Sequence, residues 1–242
     1  MTAARPAAGS AATSLPAIAS KGVSVVVAAF REEQTIAETV RSLRRLGLDV
    51  IVVDDGSEDE TGRIARQEGA TVLTHIVNRG QGAALQTGVR FALARGAAYI
   101  VTFDADGQHQ SEDVAGILAP LLRGESDVTL GSRFLRPNEV PWFRRVVLKT
   151  GIVFTRLASG IRVTDTHNGL RGFTRRAAAT IDIRLDRMAH ASEILDQIAR
   201  SGLRWVEVPV EISYTDYSRS KGQSSLGGLR VVWDFLMGRW LR

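Results

Sequence analysis

The sequence predicts an α/β fold, a mostly parallel central sheet with helices on both faces, and three observations predict it. Short β-branched runs without polar alternation, such as VSVVVAAF at residues 23–30, read as strands covered on both sides. Between them lie segments whose apolar residues recur at helical spacing. The pair of elements then repeats along residues 23–132, and strands alternating with helices of this length imply right-handed crossovers between parallel neighbours.

The elements follow in order. After the first strand, REEQTIAETVRSLRRLG places Ile36, Val40, Leu43 and Leu46 on one helical face, with Gly47 as a stop. DVIVVDDGS (49–57) is a strand, EDETGRIARQEG (58–69) a helix and ATVLTH (70–75) a strand. GQGAALQTGVRFALARG (80–96) is the next helix, and AAYIVTFDADG (97–107) the next strand. SEDVAGILAPLLRG (111–124) and DVTLGS (127–132) close the series as helix and strand. Residues 1–21, rich in Ala, Ser, Thr and Pro and without period, read as a disordered tail rather than a signal peptide.

Composition narrows the function classes. With 242 residues, 44% hydrophobic, the chain can bury one substantial core. Zero cysteines exclude a disulfide framework and a thiolate metal site. A net charge of +5 with scattered arginines gives no nucleic-acid footprint. No run of about 18 apolar residues suggests a membrane span.

In such sheets ligands bind outside the carboxyl ends of the strands, and the acidic residues gather there. Asp54 and Asp55 end the second strand, Asp104 and Asp106 the fourth, and Arg133 follows the fifth. Carboxylates at one edge raise one another's pKa unless a cation sits among them. If the strand stays extended, Asp104 and Asp106 share a face, and with the amide of Gln108 they offer hard oxygen ligands suited to Mg2+ or Mn2+. The alternative is that they cap the next helix or stabilise a turn, the reading preferred for Ser111 or Asp113 at the next helix start.

The motifs AAFREEQTI, VIVVDDGSEDET, NRGQGAALQTG, TFDADGQHQSED, GSRF and DTHNGLRGFTR, in this order, resemble those of family 2 glycosyltransferases with the GT-A fold. The branch that contains dolichyl-phosphate mannose synthases and bacterial polyprenyl-phosphate glycosyltransferases is the most similar, over about residues 22–230. The resemblance implies a metal-dependent, inverting enzyme that moves a sugar from a UDP- or GDP-linked donor to a polyprenyl phosphate. It implies a nucleotide pocket of Ala28, Phe30, Glu32, Asp54, Asp55, Gly82, Asp104 and Ala105. Asp104, Asp106 and Gln108 would hold the metal, and Asp104, Asp106, Arg133 and Asp165 would form the catalytic set. Arg133, Asn168, Arg171, Glu193, Arg219 and Lys221 would meet the phosphates or the sugar. A phosphate acceptor is already anionic near neutral pH; a sugar-hydroxyl acceptor would call for Asp165 or Glu193 as a general base.

The chain departs from the family pattern at three places. Ala28 and Arg31 replace the usual proline and asparagine, His167 and Asn168 stand where the lipid-phosphate branch has less polar residues and a serine, and Ser225 stands where lysine is common. His109 reads as a pocket-rim or helix-entry residue, with a further metal ligand as the alternative, His190 as packed at a helix start or touching substrate, and Arg79 as a donor contact. Gly80 and Gly82 are expected to allow close helix packing beside the pocket. A nucleotidyltransferase would show a glycine-rich basic signature after the first strand, which AAFREEQT lacks; a sugar-nucleotide-binding subunit without turnover is the non-enzyme alternative.

Residues 141–159 and 226–242 mix apolar residues at helical spacing with arginine, and the latter adds Trp233 and Trp240. Such helices suit a membrane surface as well as packing on the sheet or a second copy. The domain reading is therefore a tail (1–21), a catalytic domain (22–225) and a C-terminal amphipathic helix (226–242). The expected location is cytoplasmic with peripheral attachment at the inner membrane face, with room for a small membrane-protein partner or a homo-oligomer.

Overall fold

A computed structural model of the protein describes residues 22–135, 161–186 and 189–213. The expected tail, the segments 141–159 and 226–242, Arg219, Lys221 and Ser225 lie outside the described residues. The strands are β1 (Val23–Ala29), β2 (Asp49–Asp54), β3 (Thr71–Thr74), β4 (Tyr99–Asp104), β5 (Val128–Ser132), β6 (Arg171–Thr174) and β7 (Trp205–Pro209). The helices are α1 (Ile36–Arg45), α2 (Thr61–Gln67), α3 (Gln81–Ala94), α4 (Asp113–Leu122), α5 (Arg175–Thr180) and α6 (Ala189–Ser201).

All of these strands form one sheet in the order β3-β2-β1-β4-β6-β5-β7. The β1–β2, β2–β3, β1–β4 and β5–β7 pairs are parallel, while β6 runs antiparallel to both β4 and β5. The mostly parallel sheet meets the expectation. The antiparallel strand was not anticipated: the chain enters β6 from the 161–170 loop at the carboxyl edge and so runs back toward the amino edge. Its four residues are also too few to show a period.

Side-chain alternation along the strands splits the core between two faces. On one, Val23, Val25 and Val27 join Val50, Val52, Val101 and Phe103 under α1, α2 and α4. On the other, Val26, Ile51 and Ile100 pack against Leu85, Val89, Ala177 and Ile194 from α3, α5 and α6. Sequential strands spread one way from β1 to β2 and β3, and the other way to β4. The strand order therefore switches between β1 and β4, where Ala28 pairs with Asp104, and a crevice opens at such a point.

Two helix starts differ from the sequence reading. α1 begins at Ile36, because residues 31–35 make a turn in which Glu32 O accepts from Thr35 and Ile36 N–H groups at 3.1 and 2.9 Å. α4 has Glu112 at its N-cap, without a side-chain bond, so Asp113 is its first residue, and Asp113 Oδ2 accepts from Glu211 N at 2.6 Å.

Candidate active site at the carboxyl edge

β4 ends at Asp104, so Asp106 sits in the following turn and not on the strand. The same-face argument for the pair fails there, since a period of two needs extended backbone. What joins the two carboxylates is proximity. Asp104 is held by the protein on both oxygens: Gln81 Nε2 donates to Oδ1 at 2.9 Å and His109 Nε2 lies 3.0 Å from Oδ2. Behind it, the Cα of Gly169 comes so close that any Cβ would overlap the carboxylate. Asp106 receives the main-chain N–H of Gln108 at 3.1 Å.

The electrostatics follow from these partners. Burial alone would raise the Asp104 carboxyl, but the His109 hydrogen bond and charge, with His190 and Arg171 further off, hold it below the usual carboxylate range. Asp106 is pushed up to about 6, first by burial and then by the charge of Asp104, with Glu32 adding to it. Among the described residues no group of three or more His, Cys, Asp or Glu side chains is arranged to hold a metal ion. Two carboxylates beside an amide, one of them carrying uncompensated negative charge, nevertheless fit a hard divalent cation whose remaining ligands are water and substrate phosphate.

The loops after β1, β2 and β3 build the other wall. Asp54 and Asp55 are buried, at 5% and 2% exposure, and both accept from backbone N–H groups. Asp54 Oδ1 takes Ser57 N at 3.1 Å, while Asp55 takes Arg79 N and Gly80 N at 3.0 and 2.6 Å. His75 supports Asp55 at 2.6 Å and reaches Thr87 Oγ1 at 3.0 Å with its other nitrogen. Glu32 N donates to Thr61 Oγ1 at 2.8 Å, and its carboxylate accepts from Thr35 Oγ1 at 3.1 Å. Phe30 is on the rim, with the Arg31 guanidinium 5.2 Å over its ring and paired to Glu58 at 2.5 Å. Arg31 has φ of 55°, a conformation that asparagine tolerates better than arginine. A Cβ on Gly82 would meet the Leu185 carbonyl and one on Gly80 the Asp186 carboxylate, so the close approach is mainly to the non-helical 181–186 segment and not to a helix as expected, with His190 of α6 the next neighbour of Gly82.

The third wall is the 161–170 loop. Arg133, in a 3-10 turn after β5, donates from Nε to Asp165 Oδ2 at 2.6 Å and from its main-chain N at 3.2 Å. Asp165 Oδ1 accepts His167 N at 3.3 Å. Arg171 is buried and spends Nε and Nη2 on the carbonyls of Asn168 and Thr166, at 3.0 and 3.1 Å. Burial lowers its pKa to about 10, against the opposing charges of Asp104 and Asp165. Burial likewise takes His167 down to about 4, so its ring is neutral at pH 7. Asn168 Oδ1 accepts Leu170 N at 2.9 Å, and its buried Nδ2 has no partner among the described residues. Glu193 lies farther back on α6, accepting Arg184 N and Leu185 N at 2.9 and 2.7 Å.

The structure thus gathers Ala28, Phe30, Glu32, Asp54, Asp55, Asp104, Ala105, Asp106, Gln108, Arg133, Asp165, Asn168 and Arg171 along one edge of the sheet. Sequence reasoning missed Gln81, Gly169 and Glu207, and of its readings of His109 the rim position is corrected, since the ring is buried. Glu207, on β7, braces the loop by accepting Thr164 N at 2.8 Å and Asp165 N at 3.2 Å. His75 carried one legible signal, a polar ring directly after a strand at the ligand-binding edge.

Comparison with known proteins returns consistent relatives. The glycosyl transferase family 2 profile matches residues 24–181. An uncharacterised protein of Methanocaldococcus jannaschii is 41% identical over 88% of this chain and 90% of its own length. UDP-N-acetylglucosamine–dolichyl-phosphate N-acetylglucosaminyltransferase of Methanococcus voltae is 32% identical over 91% of this chain and 97% of its own. Undecaprenyl-phosphate mannosyltransferase of Micrococcus luteus is 29% identical over 90% and 96%. Among solved structures, glucosyl-3-phosphoglycerate synthase of Mycobacterium tuberculosis, in complex with Mn2+, UDP-glucose and phosphoglyceric acid, superposes with a TM-score of 0.73. It is 23% identical and the match covers 96% of this chain and 83% of that one, a likeness of fold.

Proposed function

The chain belongs to glycosyl transferase family 2 and is a glycosyltransferase of GT-A-like fold; from that premise we propose that it moves a sugar from a nucleoside-diphosphate donor to a polyprenyl phosphate. The observation that carries this reading is the Asp104–Asp106 pair at the switch between β1 and β4. One carboxylate is fixed by protein donors and the other has its pKa pushed up to about 6.

In this reading Asp104, Asp106 and Gln108 hold Mg2+ or Mn2+ on the donor diphosphate. A bound cation supplies charge stabilisation for the departing diphosphate. Phe30, Glu32, Asp54 and Asp55 wall the nucleotide. Asp165 keeps the Arg133 guanidinium turned toward the loop that would receive the acceptor, and Glu207 keeps Asp165 in place through its main chain. Asn168 Nδ2 is a donor in need of an acceptor oxygen.

The acceptor class is supported by what the carboxylates already do. A sugar hydroxyl needs a base to take its proton, whereas a phosphate oxygen is anionic at pH 7. Asp165 is ion-paired with Arg133, and one Glu193 oxygen accepts two main-chain N–H groups. Both commitments suit an acceptor that carries its own charge. The relatives named for dolichyl- and undecaprenyl-phosphate point the same way. No helix among the described residues is long and apolar enough to cross a membrane. A lipid acceptor would be met at a membrane surface.

The test is calorimetric binding of UDP and of GDP with and without Mn2+, followed by transfer assays on a short polyprenyl phosphate. Metal-dependent binding of one nucleotide and a labelled lipid product are expected. Transfer that persists in excess chelator would remove the cation from the mechanism, and transfer only to a sugar hydroxyl would remove the lipid.

A further inference from the structure

His109 is 8% exposed, and its ring stands edge-on to Phe103 with centroids 5.4 Å apart. Its backbone bridges Ile212 in antiparallel fashion. On either side the loop is pinned to the same segment: Ser213 N donates to Gln108 O at 2.8 Å, and Gln110 Nε2 donates to Ser213 Oγ at 2.8 Å. The imidazole therefore has little freedom to move. An ionised carboxylate only accepts, so the 3.0 Å contact with Asp104 Oδ2 fixes the shared proton on His109 Nε2. The other nitrogen, Nδ1, is buried without a partner among the described residues. An apolar ring would fill this site without leaving a polar atom unsatisfied, which leaves the Asp104 bond as the chemical reason for a histidine.

We infer that His109 is a positioning residue for the divalent cation: its Nε2–H, opposed by Gln81 on the other oxygen, locks the Asp104 carboxylate against rotation before the cation arrives. The inference rests on Asp104 being a cation ligand. Ligand-orienting hydrogen bonds of this kind are typically worth about 10- to 100-fold in metal affinity.

The experiment measures Mn2+ binding by the EPR signal of free Mn2+, with UDP present, on purified wild type, His109→Phe, His109→Gln and Gln81→Leu. No turnover is needed. His109→Phe keeps an aromatic ring beside Phe103 and removes the donor, and the expected result is about a 10- to 100-fold weaker Kd. His109→Gln presents an N–H at similar reach and should stay within roughly threefold of wild type, and Gln81→Leu should weaken binding in the same direction as His109→Phe. A folded His109→Phe that binds Mn2+ like wild type, with only its thermal midpoint lowered, would overturn the inference and leave the cation reading intact. So would His109→Gln losing as much affinity as His109→Phe. Wild-type protein that takes up no Mn2+ would overturn both. Should His109→Phe fail to fold, His109→Asn decides, because its shorter amide cannot reach Asp104: weakened binding supports the inference and wild-type binding ends it.

Discussion

Two aspartates at opposite edges of one sheet meet opposite fates. At the amino edge Asp127, just before β5, is buried yet accepts Arg204 N and Arg176 Nη2 at 3.0 Å each and Arg204 Nε at 3.2 Å. Burial would raise its carboxyl, but the Arg204 bonds and the Arg176 charge outweigh it and hold it below the usual range. At the carboxyl edge Asp106 meets Asp104 and Glu32 and moves up to about 6. Burial pushes both the same way, so the partners decide the sign. Asp127 is matched by arginines of the chain itself, whereas Asp106 has carboxylates as its charged neighbours in Asp104 and Glu32, with His109 the cationic influence against them; under the proposed function a bound cation would supply the missing charge.

The most severe way to break this contrast is Asp106→Ala. It removes the uncompensated carboxylate, and sugar transfer should fall by at least about 10²- to 10³-fold with the circular dichroism spectrum unchanged. Measurable turnover near the wild-type rate would mean that the carboxyl edge does not depend on that charge. Gly169→Ala attacks the same edge from behind. Its Cβ would overlap the Asp104 carboxylate, and a displacement near 1 Å predicts a loss of roughly 10²-fold in kcat/KM, read in the same assay.

Asp127→Asn breaks the amino edge instead. Urea denaturation at pH 7 should show a loss of about 1–3 kcal/mol, while kcat stays at the wild-type value. The sign of its pH dependence follows from a folded pKa below the unfolded value of about 3.9: the stabilisation is present above that pH and disappears as pH falls through the folded pKa. The gap between wild type and variant should therefore be full at pH 7 and close in acid below about pH 4. A gap that persists unchanged at low pH would show that shape, not charge, does the work at Asp127.

Arg31→Asn is the smallest change. It gives up a solvent-exposed pair with Glu58, with side chains 54% and 82% exposed, and relieves a left-handed φ of 55°. Stability should stay within about 0.5 kcal/mol of wild type. A larger drop would mean that the rim pair contributes more than exposed pairs do.

How much of this was legible varies by element. β1 to β4 could be read because each is followed by its own helix, β5 because it is a short run set off by α4, and the acidic pairs because charge at the end of a buried strand needs an explanation. β7 was missed although Val206, Val208, Val210 and Ile212 alternate with Glu207, Pro209 and Glu211, a strand signal that Pro209 weakens because proline is confined to edge strands, and β7 is at the edge of the sheet. Asp104 was found, but not what holds it. Gln81 lies 23 residues before it, and Gly169, whose carbonyl accepts from Thr102 Oγ1 at 2.7 Å, lies 67 residues beyond that threonine. No local pattern links such positions.

By itself the sequence determined the alternating strands and helices, the two-faced core and the residue types gathered at one sheet edge, because hydrophobic periodicity and charge at strand ends are local properties of the chain. The tertiary structure alone decided that β6 runs backwards, that His109 is buried against Asp104, and that Asp127 and Asp106 shift in opposite directions. Each of these depends on which distant groups are brought within a few ångströms, and the Coulomb and hydrogen-bond energies that set them act through space, not along the chain.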